Sequence, residues 1–491
     1  MLRSLLLVAL VAIIAAVPAS AAQAAAPTPP LGHDGRWITD ASGRVVILHG
    51  LNMVYKRPPY HPKATGFGRD DADFLARHGF NTIRLGVIYK GVEPRRGGYD
   101  DAYLGQIADT ERTLARRGIY SLLDFHQDLY NERFQGEGWP DWAVQDDGLA
   151  NPQNGFPANY LTNPALNRAF DHFWANDPVG GVRLQNAYAA AWRHVAAAFE
   201  SEPYVLGYDL MNEPWPGSVY PTCTNPAGCP AFDANALTRF TNRVIARIRQ
   251  VDPGTLAFYE PLLTFDFGAL TWHGDTGDPQ AGFSFHDYCL PGAFGGPTGD
   301  ACEAAEDLPF QNADERSQQT GDALLLTEFG ATDDLATLAR IVGLADQHMT
   351  GWQEWHYCSC GDPTTQAAGD EQALVIDPRR APSGDNVKRE KLKVLERPYP
   401  QAIAGTPSGY GYDPGTDVFH LDYATTAPSG DPLPRAITTR VYVPAIHYPR
   451  GYSVDVTGAA VVSEPGARYL ELRRNPGASE VSVTVRPIGS P

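Results

Sequence analysis

The chain reads as an α/β protein, a (β/α)8 TIM barrel with a C-terminal β-sandwich domain, and three observations predict this. Between residues 30 and 397, eight short apolar runs alternate with helical patterns. Polar residues able to do chemistry gather at the C-terminal ends of those runs. From residue 398 to 491 the pattern changes to short segments of period two separated by turn signals. Apolar strands with helices between them form a parallel sheet covered on both faces, and eight of them fit a closed barrel. Period-two segments with Gly- and Pro-rich turns fit a sandwich.

Each element follows in order. The first strand is expected at 45–48 (Val-Val-Ile-Leu). A helical stretch carrying Asp71, Asp73, Phe74, Leu75 and Ala76 ends at Gly79, and the second strand follows at 81–85. A helix over 103–117 stops at Gly118 before the third strand, 119–123. Glycine is the expected breaker there, because it adopts the left-handed helix-end conformation at no steric cost. Helices around 187–199 and 236–250 precede the fourth and fifth strands, 205–210 and 255–259. Strands at 283–285, 323–326 and 351–355 complete the barrel. The sandwich strands are expected at 418–423, 437–443, 452–456, 469–472 and 481–485. None of them carries an aromatic ladder for polysaccharide, so the sandwich is expected to pack against the barrel.

Residues 1–26 read as a signal peptide. Arg3 is the positive n-region, residues 5–17 are apolar, and Ala19-Ser20-Ala21 and Ala22-Gln23-Ala24 both fit a cleavage site. The apolar run falls short of the about twenty residues of a membrane span. An exported protein is expected. The six cysteines suit an oxidising compartment. Cys223 with Cys229 and Cys289 with Cys302 bracket turn-rich loops and can close them. Cys358 and Cys360 flank a single serine, and a bridge that tight is expected to be strained. No C-x-x-C or H-E-x-x-H occurs, so no metal site is expected.

A formal net charge of −18 excludes nucleic acid, whose phosphates require clustered Lys and Arg. It also disfavours electrostatic docking on anionic membranes. A neutral sugar or a zwitterionic lipid remains compatible.

The chemistry is carried by two strand ends. Asp209-Leu210-Met211-Asn212-Glu213-Pro214 closes the fourth strand and Leu325-Leu326-Thr327-Glu328-Phe329-Gly330 the seventh. In a barrel these ends face each other across the mouth. Retaining cleavage of a glycosidic bond needs two carboxyls about 5–5.5 Å apart, one to protonate the leaving oxygen and one to attack the anomeric carbon. Arg84, His126 and His286 also sit at strand ends.

These motifs resemble glycoside hydrolase family five, and more narrowly its endoglycoceramidase branch, over roughly residues 35–395. The resemblance implies Glu213 as acid/base and Glu328 as nucleophile. It further implies Arg84 as the support of Glu328, His126 as the third-strand histidine, and His286 with Tyr288 as the sixth-strand pair. Asn212 would hold the sugar 2-hydroxyl and Asp128 would bind the sugar. Trp355 would be the eighth-strand platform, with Trp352 as the competing choice. No cofactor is implied, since two carboxylates suffice. The partner is expected to be a glycosphingolipid or a β-linked oligosaccharide, with transient contact to lipid surfaces or micelles.

The long connection after the third strand carries Tyr130, Phe134, Trp139, Trp142 and Trp174, and Trp215 extends the next loop. Long structured loops are commonly lids. Two readings stand side by side: Trp139 and Trp142 grip a lipid aglycone, or the segment packs on itself. Three functions are weighed accordingly: an endo-β-glycosidase acting on glycosphingolipids, an endo-β-glucanase of cellulase type, and a non-catalytic glycan- or lipid-binding protein. The presence of both carboxylates argues against the last.

Overall fold

The computed structural model describes residues 26–289 and 300–489. The expected leader lies outside them, save for its last residue. Eight parallel strands close a barrel: β1 (His49–Met53), β2 (Thr82–Ile88), β3 (Tyr120–His126), β4 (Val205–Asp209), β5 (Leu256–Tyr259), β6 (Ala281–Asp287), β7 (Ala323–Phe329) and β8 (Gly351–Glu354). Their order around the barrel is their order in the chain, and β8 pairs back onto β1. The helices that cover it include α1 (Arg69–Arg77), α2 (Asp101–Ala115), α3 (Pro164–Trp174), α4 (Leu184–Phe199), α5 (Thr238–Ile248), α6 (Asp300–Thr320), α7 (Leu335–Gln347) and α8 (Arg389–Leu395).

Local chemistry explains these helices. Asp100 caps α2, its carboxylate accepting from the Tyr103 backbone N–H at 2.9 Å. Leu104, Ile107 and Leu114 then recur on one face of α2 and are buried against the barrel. On α5 the same stripe is Phe240, Val244, Ile245 and Ile248.

One strand is displaced from its expected place. The apolar run at 45–48 is not β1, which begins at His49. Val45 and Ile47 belong instead to a core shared with the sandwich, while Val46 and Leu48 plug the lower end of the barrel. The run is apolar because it is buried between two domains, and β1 is the more polar His-Gly-Leu-Asn-Met that follows.

The sandwich consists of two four-stranded antiparallel sheets. One has the order β9 (Tyr399–Ala402), β12 (Thr439–Tyr442), β15 (Tyr469–Arg474), β14 (Ala459–Val461). The other has the order β10 (Thr406–Asp413), β11 (Val418–Ala424), β16 (Glu480–Pro487), β13 (Tyr452–Thr457). Period two is plain in β11 and β16, where Phe419, Leu421 and Tyr423 face Val485, Val483 and Val481 in register and all six are buried.

The seam lies at the N-terminal end of the barrel, away from the mouth. His49 stacks between Trp352 of the barrel and Tyr399 of the sandwich, at centroid distances of 4.4 and 3.7 Å. Burial keeps its imidazole neutral, with Arg397 acting in the same direction. The Tyr399 hydroxyl donates to the Gly79 carbonyl at 2.6 Å. Gly79 has a φ of 76°, and a Cβ there would meet the Tyr442 ring at 2.3 Å. The residue that ends α1 is therefore also the one that lets the sandwich approach. Gly79→Ala is expected to lower stability by about 2–4 kcal/mol through backbone strain and overpacking. Denaturant midpoints check this; a midpoint like that of the unmodified protein would show that the seam is loose.

Candidate active site

The C-terminal ends of the strands bring the sequence-derived residues to one mouth. At its floor is Arg84 of β2, whose side chain has no exposure. Its Nη1 donates to Glu328 Oε1. Its Nε donates to Asp209 Oδ2 at 2.9 Å, and its Nη2 to Asn212 Oδ1 at 2.9 Å and Glu260 Oε1 at 2.8 Å. Asp124 lies 3.2 Å away. One guanidinium thus faces four buried carboxyls. A single charge cannot neutralise four, so some must hold protons. Burial, with Asp209 next, pushes Glu260 well above the usual range. Burial raises Asp209 to about 6, against the pull of Arg84.

Glu213 and Glu328 meet at His286. The ring Nδ1 is 3.0 Å from Glu213 Oε1 and 3.7 Å from Glu328 Oε2. Those two oxygens can be no farther apart than the sum of these contacts. That bound is compatible with the about 5–5.5 Å between the carboxyl groups of a retaining pair. Tyr288 donates its hydroxyl to Glu328 Oε2 at 3.0 Å. Burial lowers His286 to about 3, so the ring is neutral at physiological pH.

The two carboxyls differ in their surroundings. Burial raises Glu213 to about 7, and the Asp128 charge adds to the rise. Burial also raises Glu328, but there the charge of Arg84, ion-paired with it, opposes the rise. Glu213 is held in an unusual backbone conformation, φ 41°, with its N–H donating to Glu260 Oε2 at 2.7 Å. Such strain persists only where surrounding contacts enforce it. Asp266 leans on Glu213 as well. Burial and the Glu213 charge keep it protonated, so it can donate to Glu213.

The wall formed by β1, β3 and β8 is polar. His126 Nδ1 is 2.7 Å from Asp124 Oδ2 and its Nε2 is 3.6 Å from Asp128. Burial opposes its charge, yet Asp124 and Asp128 together outweigh burial and raise it to about 10. Asp128 is held ionised, despite burial, by Lys56 at 2.7 Å and by His126. It is 3% exposed and caps no loop; Lys56 and Thr364 hold its carboxylate in the wall. Trp355 stacks on His126 at 5.2 Å, with Lys56 Nζ 4.4 Å from its ring. Trp352, the competing choice, is wholly buried below the mouth against His49, Phe80 and Phe329.

All these groups border a cavity of about 710 Å³ or lie just beneath it. The loops after β3, β4 and β5 supply an apolar share: Phe156, Tyr160, Leu161, Trp215, Leu263 and Phe267. Of the two readings of the long connection, self-packing is the one that Trp139 and Trp142 follow. Trp139 is 1% exposed and lies flat on Tyr130 at 4.2 Å, and Trp142 donates its Nε1 to the Glu93 carbonyl. Neither borders the cavity. These rings cover the flank of the barrel, and the shorter stretch 156–161 of the same excursion reaches the mouth instead. All three cysteine pairs are bonded, including Cys358 with Cys360, whose Cα atoms are 5.2 Å apart. That separation lies in the ordinary range.

Sequence reasoning missed Lys56, Glu260 and Asp266. Glu260 had a signal, since Glu260-Pro261 directly after β5 echoes Glu213-Pro214 after β4. Lys56 sits in an irregular loop and Asp266 in a short 3₁₀ helix, and neither segment is long enough for a periodic pattern to mark it.

Comparison with known proteins agrees with this geometry. Residues 39–361 match the family model described as cellulase (glycosyl hydrolase family 5), and residues 397–486 match the glycoside hydrolase family 5 C-terminal domain. The chain belongs to glycoside hydrolase family 5. Endoglycoceramidase I of Rhodococcus hoagii (strain 103S) is 33% identical over 486 residues, spanning 94% of this chain and 89% of that protein. Endo-glycoceramidase II from Rhodococcus sp., solved as a lactosyl-enzyme intermediate, superposes with a TM-score of 0.74 at 29% identity, over 92% of this chain and 99% of that one. The same protein in complex with ganglioside GM3 gives a TM-score of 0.73 at 28% identity with the same coverage.

Proposed function

We propose that this chain is a retaining endo-β-glycosidase that cleaves the bond between oligosaccharide and ceramide in glycosphingolipids. One observation carries the reading: two buried carboxyls share one histidine nitrogen inside a cavity that is polar on one wall and apolar on the other. In the first step Glu328 attacks the anomeric carbon while the glycosidic C–O bond breaks. The proton of Glu213 passes to the departing ceramide oxygen. In the second step the Glu213 carboxylate takes a proton from water, the water oxygen bonds to the anomeric carbon, and Glu328 leaves. Arg84 and Tyr288 favour the ionised form of Glu328. Trp355, His126, Asp128 and Asn212 bind sugar. The relative captured as a lactosyl-enzyme intermediate supports the covalent route.

A leader at 1–26, a catalytic barrel at 30–397 and a sandwich at 398–491 describe an exported enzyme, and the three disulfides support an oxidising compartment. The apolar loops favour a lipid leaving group over a glucan chain. A panel of glucosyl- and galactosyl-linked glycosphingolipids beside cello-oligosaccharides tests this. Release of intact glycan from the lipids is expected; preference for the cello-oligosaccharides would favour the glucanase reading. No turnover of any glycoside, chromogenic ones included, would favour a binding protein.

The pH dependence has a fixed sign. Glu213 must be protonated to expel ceramide, so kcat/KM should fall above about pH 7, the range to which burial and Asp128 raise it. It should fall again at low pH as Glu328 gains a proton. Activity that kept rising well above pH 8 would contradict Glu213 as the acid.

A further inference from the structure

A second hollow, of about 600 Å³, opens on the rim of the barrel mouth. Three arginines line it: Arg183 just ahead of α4, and Arg239 and Arg243 one turn apart on α5. Trp174 and Phe232 form its apolar wall, edge to face with centroids 5.0 Å apart. Among the described residues, no carboxylate lies within 4.0 Å of any of the three guanidiniums. Their hydrogen bonds go to neutral oxygens: the Asn176 carbonyl, the Asn235 carbonyl and Gln185 Oε1. The nearby Asp177 is engaged by His172 at 2.7 Å. In a chain with 57 acidic and 39 basic residues, three unpaired arginines in one hollow stand out as uncommitted positive charge.

The place of the hollow says what it faces. The disulfide loop 223–229 divides it from the catalytic cavity, with Thr224, Asn225 and Pro226 on the catalytic side and Thr222 and Cys229 on the arginine side. This is the apolar, leaving-group side of the mouth, across the catalytic pair from Trp355 and Lys56. The rim is also where exposed apolar groups concentrate. Of eleven large apolar side chains exposed among the described residues, Leu161, Val219, Leu270, Trp272 and Leu308 belong to it. Leu161 and Leu308 border the catalytic cavity, and Val219 borders the hollow. Leu270 and Trp272 hydrogen-bond the disulfide loop at Pro226 and Ala227.

We propose that this rim docks the enzyme on an anionic lipid surface, with a phosphate-bearing headgroup seated among Arg183, Arg239 and Arg243 and the apolar groups pressed into the interface. The proposal rests on the reading of the leaving group as a membrane lipid. Charge complementarity selects the occupant: arginine forks match phosphate oxygens, and apolar side chains beside them suit the acyl boundary. The net charge of −18 opposes this only at long range. Screening limits electrostatics to about 8 Å at physiological salt, so the local arginines govern contact. The bulk charge disfavours electrostatic docking of the molecule as a whole, and this rim is a local exception to it.

Co-sedimentation of the full mature chain with vesicles lacking any glycolipid tests the docking apart from catalysis. The probes are pure phosphatidylcholine and phosphatidylcholine with phosphatidylserine. A contribution of about fivefold per basic residue predicts at least about tenfold tighter binding to the anionic vesicles. Arg183→Gln/Arg239→Gln/Arg243→Gln should abolish that difference. The same triple variant should turn over a soluble aryl glycoside normally yet lose about tenfold on glycosphingolipid embedded in anionic vesicles. Equal binding of the unmodified chain to both vesicle types, or a triple variant with unchanged preference, would overturn the proposal. Binding abolished by millimolar inorganic phosphate but insensitive to vesicle composition would mark a small-anion site and overturn docking as well. Cleavage of glycosphingolipid in neutral detergent micelles reports separately on the proposed function.

Discussion

Glu328→Gln should abolish turnover of every glycoside, by about 10⁴-fold or more in kcat, because no other group can form the covalent bond. Glu213→Ala should behave differently. On the natural lipid, whose alkoxide needs a proton, the loss of general acid catalysis is expected to reach about 10²–10⁴-fold. On a glycosyl fluoride or a nitrophenyl glycoside the first step needs little protonation and should survive. Hydrolysis of the covalent intermediate then becomes slow. Azide should rescue this variant alone, attacking the anomeric carbon without a base and releasing Glu328 with a β-glycosyl azide as product. The contrast depends on the two surroundings, with one carboxyl under Arg84 and Tyr288 and the other against His286, Asp128 and Asp266. Azide rescue of Glu328→Gln with the same β-configured product would reverse the two assignments.

Arg84→Met should be nearly as damaging, and on two counts. It strips the cation from Asp124, Asp209, Glu260 and Glu328 at once, all buried. Removing one partner of a buried ion network costs about 3–5 kcal/mol, so the denaturation midpoint should fall markedly. Activity should drop by about 10³-fold, since the nucleophile loses its positioning fork and its charge support. The pH profile separates this from simple loosening. Arg84 pulls the Glu328 pKa down, so its removal lets that pKa rise, and the acid limb of kcat should move to higher pH. Arg84→Lys restores the charge without the fork and should return the acid limb while leaving the rate low. An acid limb unmoved in Arg84→Met would mean that the arginine only fills space.

The limits of reading these features from sequence are physical. Strand ends were legible because Glu213 and Glu328 each closely follow a run of apolar residues, and the glycines at 79 and 118 mark helix ends by their conformational freedom. Arg84, His126, Asn212, His286 and Tyr288 share that logic and reach the same mouth. The run at 45–48 misled because burial between domains produces the same apolar signature as burial in a barrel. Trp139 and Trp142 stayed open between lid and self-packing because a long irregular segment has no period from which to tell inward from outward rings. Lys56 and Asp266 were invisible for the same reason, since charges in such segments mean nothing until folding sets Lys56 against Asp128 and Asp266 against Glu213. The arginines of the rim carry no sequence signal, and only the lack of a carboxylate within 4.0 Å of them among the described residues singles them out.

The most direct test of the central claim follows the first product of glycosphingolipid cleavage by proton NMR, with mass spectrometry of both halves. The account predicts intact oligosaccharide released initially as the β-anomer, together with intact ceramide, and slow mutarotation afterwards. Initial release of the α-anomer would contradict the double displacement by Glu328 and Glu213, and stepwise release of monosaccharides would contradict cleavage at the ceramide linkage.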